Sequence, residues 1–169
     1  MLRRGRLDLA EKHYRAAVKR SNLHNANPRD GEPHYGLGLT LKLRGNFEEA
    51  ATCFYRATWD GSFADKGHYS LSQLALINGD AKEALALINL SLAKNRQNSR
   101  ARHLKGLILR RLGKLAEAQA LARETLHADP VDLPARHEYS LALRADGQTD
   151  DAARERAHLG RLLNGEARN

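Results

Sequence analysis

The chain has 169 residues, of which 41% are apolar and 5% aromatic, and its 28 Lys and Arg against 20 Asp and Glu give a formal net charge of +8. A single cysteine, Cys53, excludes an internal disulfide, and no histidine stands in zinc-ligand spacing with a second thiol. No window reaches the ~18 consecutive apolar residues of a membrane span, and no apolar signal core follows the first residues. We therefore expect a soluble, cytoplasmic protein without a metal ion or cofactor.

The composition favours helices over strands. Strands are rich in β-branched and aromatic side chains, which are scarce here, whereas the chain is rich in Ala, Leu, Arg and Glu, which have high helix propensity. An all-α fold is the first prediction.

Four glycines recur at a constant interval of 34 residues. They are Gly45, Gly79, Gly113 and Gly147. An alanine follows each glycine by five residues, at Ala50, Ala84, Ala118 and Ala152. Nine residues after each glycine stand Phe54, Ile88, Ala122 and Arg156. This period predicts two short helices per repeat, hinged at the glycine, which are stable only when they pack on their neighbours.

The first segment, 1–30, is predicted to be a partial repeat: the end of a first helix, a hinge at Gly5, one second helix near Leu7 to Lys19, and a loop. Gly5 precedes Gly45 by 40 residues rather than 34, which places an insertion of six residues in the loop around Ser21 to Asp30. The chain would thus begin partway through a repeat, and we expect it to be a fragment of a longer protein.

Four helix pairs are predicted next, together forming one solenoid domain. Their bounds are 31–64, 65–98, 99–132 and 133–169, the last including a tail. In the first pair, Leu37, Gly38 and Leu41 share one helix face, and Ala50 and Phe54 form the apolar stripe of the second helix. Apolar side chains remain at the C-terminal end without a polar capping helix, so we expect that uncapped ends allow self-association.

These residues resemble a known repeat. The run His34-x-x-Leu37-Gly38-x-x-Leu41, followed by Gly45, Ala50, Phe54 and Ala57, is similar to the tetratricopeptide repeat, as are Gly106, Leu109, Gly113 and Ala118 in the third pair. The resemblance implies a right-handed α-solenoid that binds partners in its concave groove and has no enzymatic activity. Polar residues replace the bulky aromatic that this family carries at the start of the first helix, so local packing should differ. They are His34, His68, Arg102 and Arg136.

A second resemblance concerns the runs Phe54–Trp59 and Asn98–Gly106. They are similar to the C-terminal repeat region of large bacterial proteins whose N-terminal domain of unknown function resembles a mutarotase-like β-sandwich. This resemblance implies an accessory module of a larger, carbohydrate-related enzyme, although no residue of the present chain forms a sugar site.

The groove is predicted about a third of a turn from the packing face of the first helices, at ~100° per residue. Its lining residues would be Tyr35, Leu39, Lys42, Lys66, Tyr69, Gln73, Arg100, His103, Arg110, His137 and Arg144. Rings and basic groups suit a peptide or protein surface that carries carboxylates, or another domain of the same chain. The alternative is that Tyr35 and Tyr69 only pack against the neighbouring helix. The Lys and Asn set by which some family members hold a C-terminal carboxylate is missing.

A basic run from Arg96 to Lys114 contains no acidic residue. Its members are Arg96, Arg100, Arg102, Lys105, Arg110, Arg111 and Lys114. One interpretation is a site for nucleic acid or another polyanion, and the other is a solvated face whose charges pair with carboxylates elsewhere. The chain lacks a phosphate-binding glycine loop, a metalloprotease motif and a nucleophile elbow, so we predict no catalytic site, and Cys53 is predicted to be an inert structural thiol.

Overall fold

The computed structural model describes residues 2–23 and 30–164, and within these ranges the chain forms nine helices and no strand. The helices are α1 (Leu2–Asn22), α2 (Glu32–Leu43), α3 (Phe47–Ala57), α4 (Ala64–Ile77), α5 (Ala81–Lys94), α6 (Ser99–Arg111), α7 (Leu115–Ala128), α8 (Leu133–Ala145) and α9 (Thr149–Leu163). In the described part of the chain, no helix is both long enough and apolar enough to cross a membrane.

The helices fall into two compact units, and the single solenoid domain stays a prediction. Unit 1 lies within residues 1–96 and contains α1 to α5, and unit 2 lies within residues 97–169 and contains α6 to α9. Inside each unit, every helix packs against the next one along the chain, and in unit 2 α6 also contacts α8.

The repeated glycines lie in the turns that join the two helices of each pair. Their φ angles are 81°, 84°, 71° and 80°, in the left-handed region that glycine adopts without a Cβ penalty. After α2, for example, the Gly45 amide donates to the Lys42 carbonyl at 3.1 Å and the Asn46 amide to the Leu41 carbonyl at 3.0 Å. These bonds satisfy carbonyls at the helix end, which explains physically why glycine recurs at this position.

Side-chain caps fix the starts of several helices. Asn46 accepts a hydrogen bond from the amide of Glu49 at 3.4 Å, and Asp80 accepts one from Glu83 at 2.9 Å. In unit 2, the cap of α8 is Asp132, which accepts from the Ala135 amide at 2.9 Å. Such caps satisfy amides of the first turn that have no partner inside the helix.

The N-terminal helix corrects one prediction. α1 runs unbroken from Leu2 to Asn22, so the hinge predicted at Gly5 is wrong. A glycine inside a helix costs only about 1 kcal/mol relative to alanine, which packing readily offsets. Here the packing comes from Tyr14, whose ring lies where a Cβ on Gly36 of α2 would be. The loop predicted around Ser21 to Asp30 lies mostly outside the described residues.

The core of unit 1 is built around one phenylalanine. Phe54 is fully buried among Leu37, Leu41, Ala50, Cys53 and Leu74. A Cβ added to Gly38 would lie 2.7 Å from two ring carbons of Phe54, so α2 and α3 approach each other as closely as glycine allows. Burial raises the pKa of Cys53 to about 11, and its thiol therefore stays protonated at neutral pH.

The core of unit 2 is made of smaller side chains. Ala122 occupies the place in the repeat that Phe54 has in unit 1, and it is 6% exposed. A Cβ on Gly106 would meet no heavy atom closer than 3.9 Å, the Cβ of Glu138. Next to these residues lies a cavity of about 10 Å³, which has room for about one water.

Polar side chains stand where the family resemblance implies bulky aromatics, and in unit 2 they bridge the helices of a pair. Arg102 of α6 donates to Thr125 of α7 at 3.1 Å and pairs with Glu124 at 3.0 Å. Arg136 of α8 is only 6% exposed and pairs with Glu155 of α9 at 2.6 Å. The packing thus differs locally from an aromatic contact, as the sequence predicts.

The equivalent residue of unit 1 is His34. It is 4% exposed, and its Nε2 has no hydrogen-bond partner among the residues described. Burial is the main cause that lowers the pKa of His34 below its ordinary value, and Arg56 adds to it. The ring is therefore held in its neutral form in the folded chain.

At the C-terminal end, the apolar side chains differ in exposure. Leu163 is exposed, whereas Leu159 and Leu162 are half-buried. Self-association through these residues stays a prediction.

Candidate functional site

In unit 1, three predicted groove residues form a polar chain between α2 and α4. Lys42 of α2 donates from Nζ to Oε1 of Gln73 on α4, and Nε2 of Gln73 donates to the hydroxyl of Tyr69 at 3.1 Å. All three side chains are half-buried. Two helices from successive pairs therefore share one polar cluster, which we call the Lys42 cluster.

The ammonium in this cluster is not neutralised within the described chain. No carboxylate of the described residues lies within 4.0 Å of Lys42 Nζ, and its hydrogen-bond acceptor is a neutral amide. Burial lowers the pKa of Lys42 because the charged form loses part of its hydration. A carboxylate from a ligand could supply the missing counter-charge.

Exposed apolar side chains adjoin the Lys42 cluster along α2 and α4. Leu39 is 38% exposed and Leu43 is 72% exposed, and Ile77 of α4 is 54% exposed. Of these three, only Leu39 is among the groove residues predicted from the sequence. The other two could have been found from the repeat, because Leu43 and Ile77 are apolar residues at equivalent positions, 34 residues apart.

Tyr35 packs instead of lining an open surface. Its ring centroid lies 5.7 Å from that of Phe54 and 5.7 Å from that of Phe63, and the side chain is half-buried. The Nζ of Lys66 lies 4.5 Å from the centroid of Phe63. Tyr35 thus packs against neighbouring rings, as in the alternative to a groove role. Lys66, in contrast, is exposed.

In unit 2, two predicted groove residues are already paired with carboxylates of the chain itself. His103 Nε2 lies 2.7 Å from Asp132 Oδ2, and Arg110 Nε donates to Glu138 Oε2 at 3.0 Å. A carboxylate only accepts, so the imidazole must donate its Nε2 proton. These pairs link α6 to α8. The groove role of His103 and Arg110 stays a prediction, in which a ligand would compete with Asp132 and Glu138.

The other groove residues predicted in unit 2 are Arg100 of α6 and His137 and Arg144 of α8. All three are exposed, and none of their side chains has a hydrogen bond or ion pair within the part of the chain described. They remain available to a ligand, but the structure does not join them into a cluster.

The basic run from Arg96 to Lys114 carries less unpaired charge than its sequence suggests. Arg102 pairs with Glu124, Arg110 pairs with Glu138, and Lys114 pairs with Glu117 at 2.8 Å. The members with no ion pair in the described ranges are Arg96, Arg100, Lys105 and Arg111. The pairing interpretation thus accounts for three of the seven charges.

Comparisons with known proteins agree with these helix pairs. A family model described as tetratricopeptide repeat matches residues 2–67 and 44–99, and a model of the Psidin N-terminal TPR repeats region matches residues 74–156. Neither description names an enzymatic activity.

Solved structures of similar fold cover nearly the whole chain. The crystal structure of MamA is 20% identical, with a TM-score of 0.81 over 98% of this chain and 94% of that one. YrrB, described as a TPR protein with an unusual peptide-binding site, is 20% identical, with a TM-score of 0.74 over 94% and 78%. A putative kinesin light chain of Podosopora anserina with nearly identical TPR-like repeats is 16% identical, with a TM-score of 0.77 over 99% and 92%.

At these identities the likeness concerns the fold alone. It confirms the predicted fold class, an all-α fold of the α-solenoid type built from antiparallel helix pairs. The second resemblance, to bacterial proteins with a mutarotase-like domain, stays a prediction.

Proposed function

The chain belongs to the tetratricopeptide repeat family, and we propose that it is a non-catalytic scaffold that binds a protein or peptide segment at the Lys42 cluster of unit 1. The peptide-binding site named for YrrB supports a ligand of this kind. The segment comes from another protein or from another domain of the same full-length chain.

The observation that carries the proposal is the half-buried ammonium of Lys42, which has an amide partner but no carboxylate partner among the described residues. Its partial dehydration is a cost that a bound carboxylate would offset. A hydrogen bond to a charged group contributes roughly 1.5–3 kcal/mol. An acidic side chain of the ligand is thus the group that this site would recognise best.

The exposed apolar residues add a second requirement. Leu39, Leu43 and Ile77 offer aliphatic surface beside the Lys42 cluster. Burial of such surface contributes about 25 cal/mol per Å². The ligand should therefore carry an aliphatic residue close to its acidic residue in sequence.

Unit 2 has a smaller part in this proposal. His103 and Arg110 are held by Asp132 and Glu138, so an acidic ligand there would have to displace carboxylates of the chain itself. The same pairing makes nucleic acid a weaker candidate, because phosphate binding depends on the number of cations that are free to replace counterions.

A selection experiment tests the proposal. Random peptides displayed on phage are selected on the wild-type chain, and the affinities of the recovered peptides are measured by fluorescence anisotropy. We expect enrichment of Asp or Glu next to an aliphatic residue. Lys42→Met should weaken binding about tenfold, corresponding to ~1.4 kcal/mol.

The matched control is Lys82→Met, which removes an exposed lysine of α5 outside the predicted groove. This variant should bind as the wild type does. Recovered peptides without acidic enrichment, or equal affinity of the two lysine variants, would refute the proposal.

A further inference from the structure

An exposed aromatic pair lies at the C-terminal end of α3, with Tyr55 in the last turn of the helix and Trp59 in the turn that follows it. Tyr55 is 59% exposed and Trp59, the only tryptophan of the chain, is 49% exposed. Their ring centroids lie 5.9 Å apart and their planes meet at 77°. The guanidinium of Arg56 lies 5.9 Å from the centroid of Trp59. Since α3 is the second helix of its pair, this face is distinct from the groove residues of α2 and α4.

The backbone under this pair is held in place by hydrogen bonds. Thr58 donates from its hydroxyl to the carbonyl of Tyr55 at 2.7 Å. In the turn after Trp59, the carboxylate of Asp60 accepts from the amides of Gly31 and Ser62, each at 2.9 Å. These hydrogen bonds from backbone amides lower the pKa of Asp60. Its carboxylate is therefore ionised at neutral pH and keeps both hydrogen bonds. A binding face with a fixed backbone loses less entropy when a ligand binds.

Both rings carry polar groups without a partner. The hydroxyl of Tyr55 and the indole N–H of Trp59 make no hydrogen bond to any residue that the structure describes. Both groups are open to water, so a ligand that covers them needs apolar surface for the rings and acceptor atoms for the two donors. Exposed main-chain carbonyls of an extended segment meet the second need.

The charged residues that stand next to the pair along the chain have both signs. Arg56 contacts Trp59, Asp60 follows Trp59 directly, and Glu48 stands on the same exposed stripe of α3 as Tyr55. A polyanion would gain little from such mixed charges, which favours a protein ligand over nucleic acid.

We propose that the face formed by Tyr55, Arg56 and Trp59 docks a proline-containing, extended segment of a partner protein. The two nearly perpendicular aromatic rings form a corner, and a pyrrolidine ring would pack against both of its walls. A polyproline II segment has no internal hydrogen bonds, so its carbonyls are free to accept from the Trp59 indole and the Tyr55 hydroxyl. Such a segment is also already extended in solution, so its binding costs little conformational entropy.

The single tryptophan provides a direct readout. Decaproline is titrated into the full chain, and the intrinsic fluorescence of Trp59 is recorded. We expect a saturable change in intensity or emission wavelength. Tyr55→Ala should weaken the affinity at least fivefold, because it removes one wall of the corner and one donor, and its exposure makes the variant compatible with folding. Leu90→Ala, at an exposed apolar residue of α5, is the matched control and should leave the affinity unchanged.

A second measurement does not depend on fluorescence. In ¹⁵N-labelled chain, decaproline should shift the backbone amide signals of α3 and the turn after it, and Trp59→Leu should abolish these shifts. The proposal fails if decaproline gives no saturable response in the wild type. It also fails if Tyr55→Ala binds as tightly as Leu90→Ala, or if a Gly-Ser peptide or oligothymidylate of equal length produces the same response. These outcomes are independent of the Lys42 cluster, so the two proposals can fail separately.

Discussion

Replacing Gly38 with alanine should leave the stability of the chain unchanged or lower it, whereas the same replacement at Gly106 should stabilise the chain. The two glycines are equivalent in the repeat, both are buried, and each lies inside a first helix, α2 or α6. Alanine is about 1 kcal/mol more favourable than glycine in a helix interior. Any difference between the two variants must therefore come from what the new methyl group meets.

At Gly38 the methyl group meets the ring of Phe54 at 2.7 Å. This ring is fully buried and cannot swing into solvent, so α2 and α3 must separate. Overpacking of this kind costs typically 1–3 kcal/mol, which offsets or exceeds the gain in helix propensity. At Gly106 the nearest atom is 3.9 Å away, an ordinary contact, so the gain of about 1 kcal/mol remains.

Thermal unfolding followed by circular dichroism measures both effects. For a chain of this size, 1 kcal/mol corresponds to roughly 2–4 °C in melting temperature. Gly106→Ala should therefore melt ~2–4 °C above the wild type, and Gly38→Ala at or below it. If Gly38→Ala raises the melting temperature as much as Gly106→Ala does, the inference that the surroundings of Gly38 are more tightly packed than those of Gly106 is wrong.

Two further predictions concern buried side chains that can carry a charge, His34 and Arg136. The free energy of unfolding should fall as the pH drops below about 6.5, because the unfolded chain then binds a proton at His34 more readily than the folded chain, in which burial lowers the pKa of this residue. His34→Gln should remove this part of the slope in urea titrations at several pH values, and an unchanged slope would contradict the assignment. Glu155→Gln should destabilise the chain by about 1–3 kcal/mol in the same assay, because it leaves the buried guanidinium of Arg136 without its counter-charge. The control is Asp151→Asn, whose partner Arg154 is 78% exposed and for which we expect less than about 1 kcal/mol; equal losses in the two variants would argue against a special role for burial.

The helix pairs could be predicted because two residue types have few substitutes at their positions. Only glycine adopts the positive φ of the turns without strain, so Gly45 and its equivalents mark the helix ends directly. The alanine five residues later is buried in every pair, from 0% exposed at Ala50 to 4% at Ala118, and a small apolar side chain suits such a close helix contact. Gly5 was misleading since glycine alone does not break a helix that is packed along its length.

The site could be predicted only in part. The columns of the repeat brought Lys42, Tyr69 and Gln73 to one face, and the structure joins them. The partners of His103 and Arg110 were missed because Asp132 and Glu138 lie on the following helix pair, where no pattern within one repeat shows them. The sequence pattern that indicates these pairs is an acidic residue 28 or 29 positions after a groove residue such as His103 or Arg110.

The exposed pair at the end of α3 was missed for a different reason. Tyr55 lies outside the apolar stripe that the sequence predicts for this helix, but the sequence does not show that Trp59, in the turn after α3, packs against it. Their exposure follows from the packing of Phe54 and Ala57 toward the core, which the structure shows.

The most direct test of the central claim is a crystal structure of the chain bound to a peptide that the wild type selects. The account predicts a peptide carboxylate within about 4 Å of Lys42 Nζ and an aliphatic peptide side chain against Leu39 and Ile77. A peptide bound elsewhere, with Lys42 still donating to Gln73 alone, would contradict it.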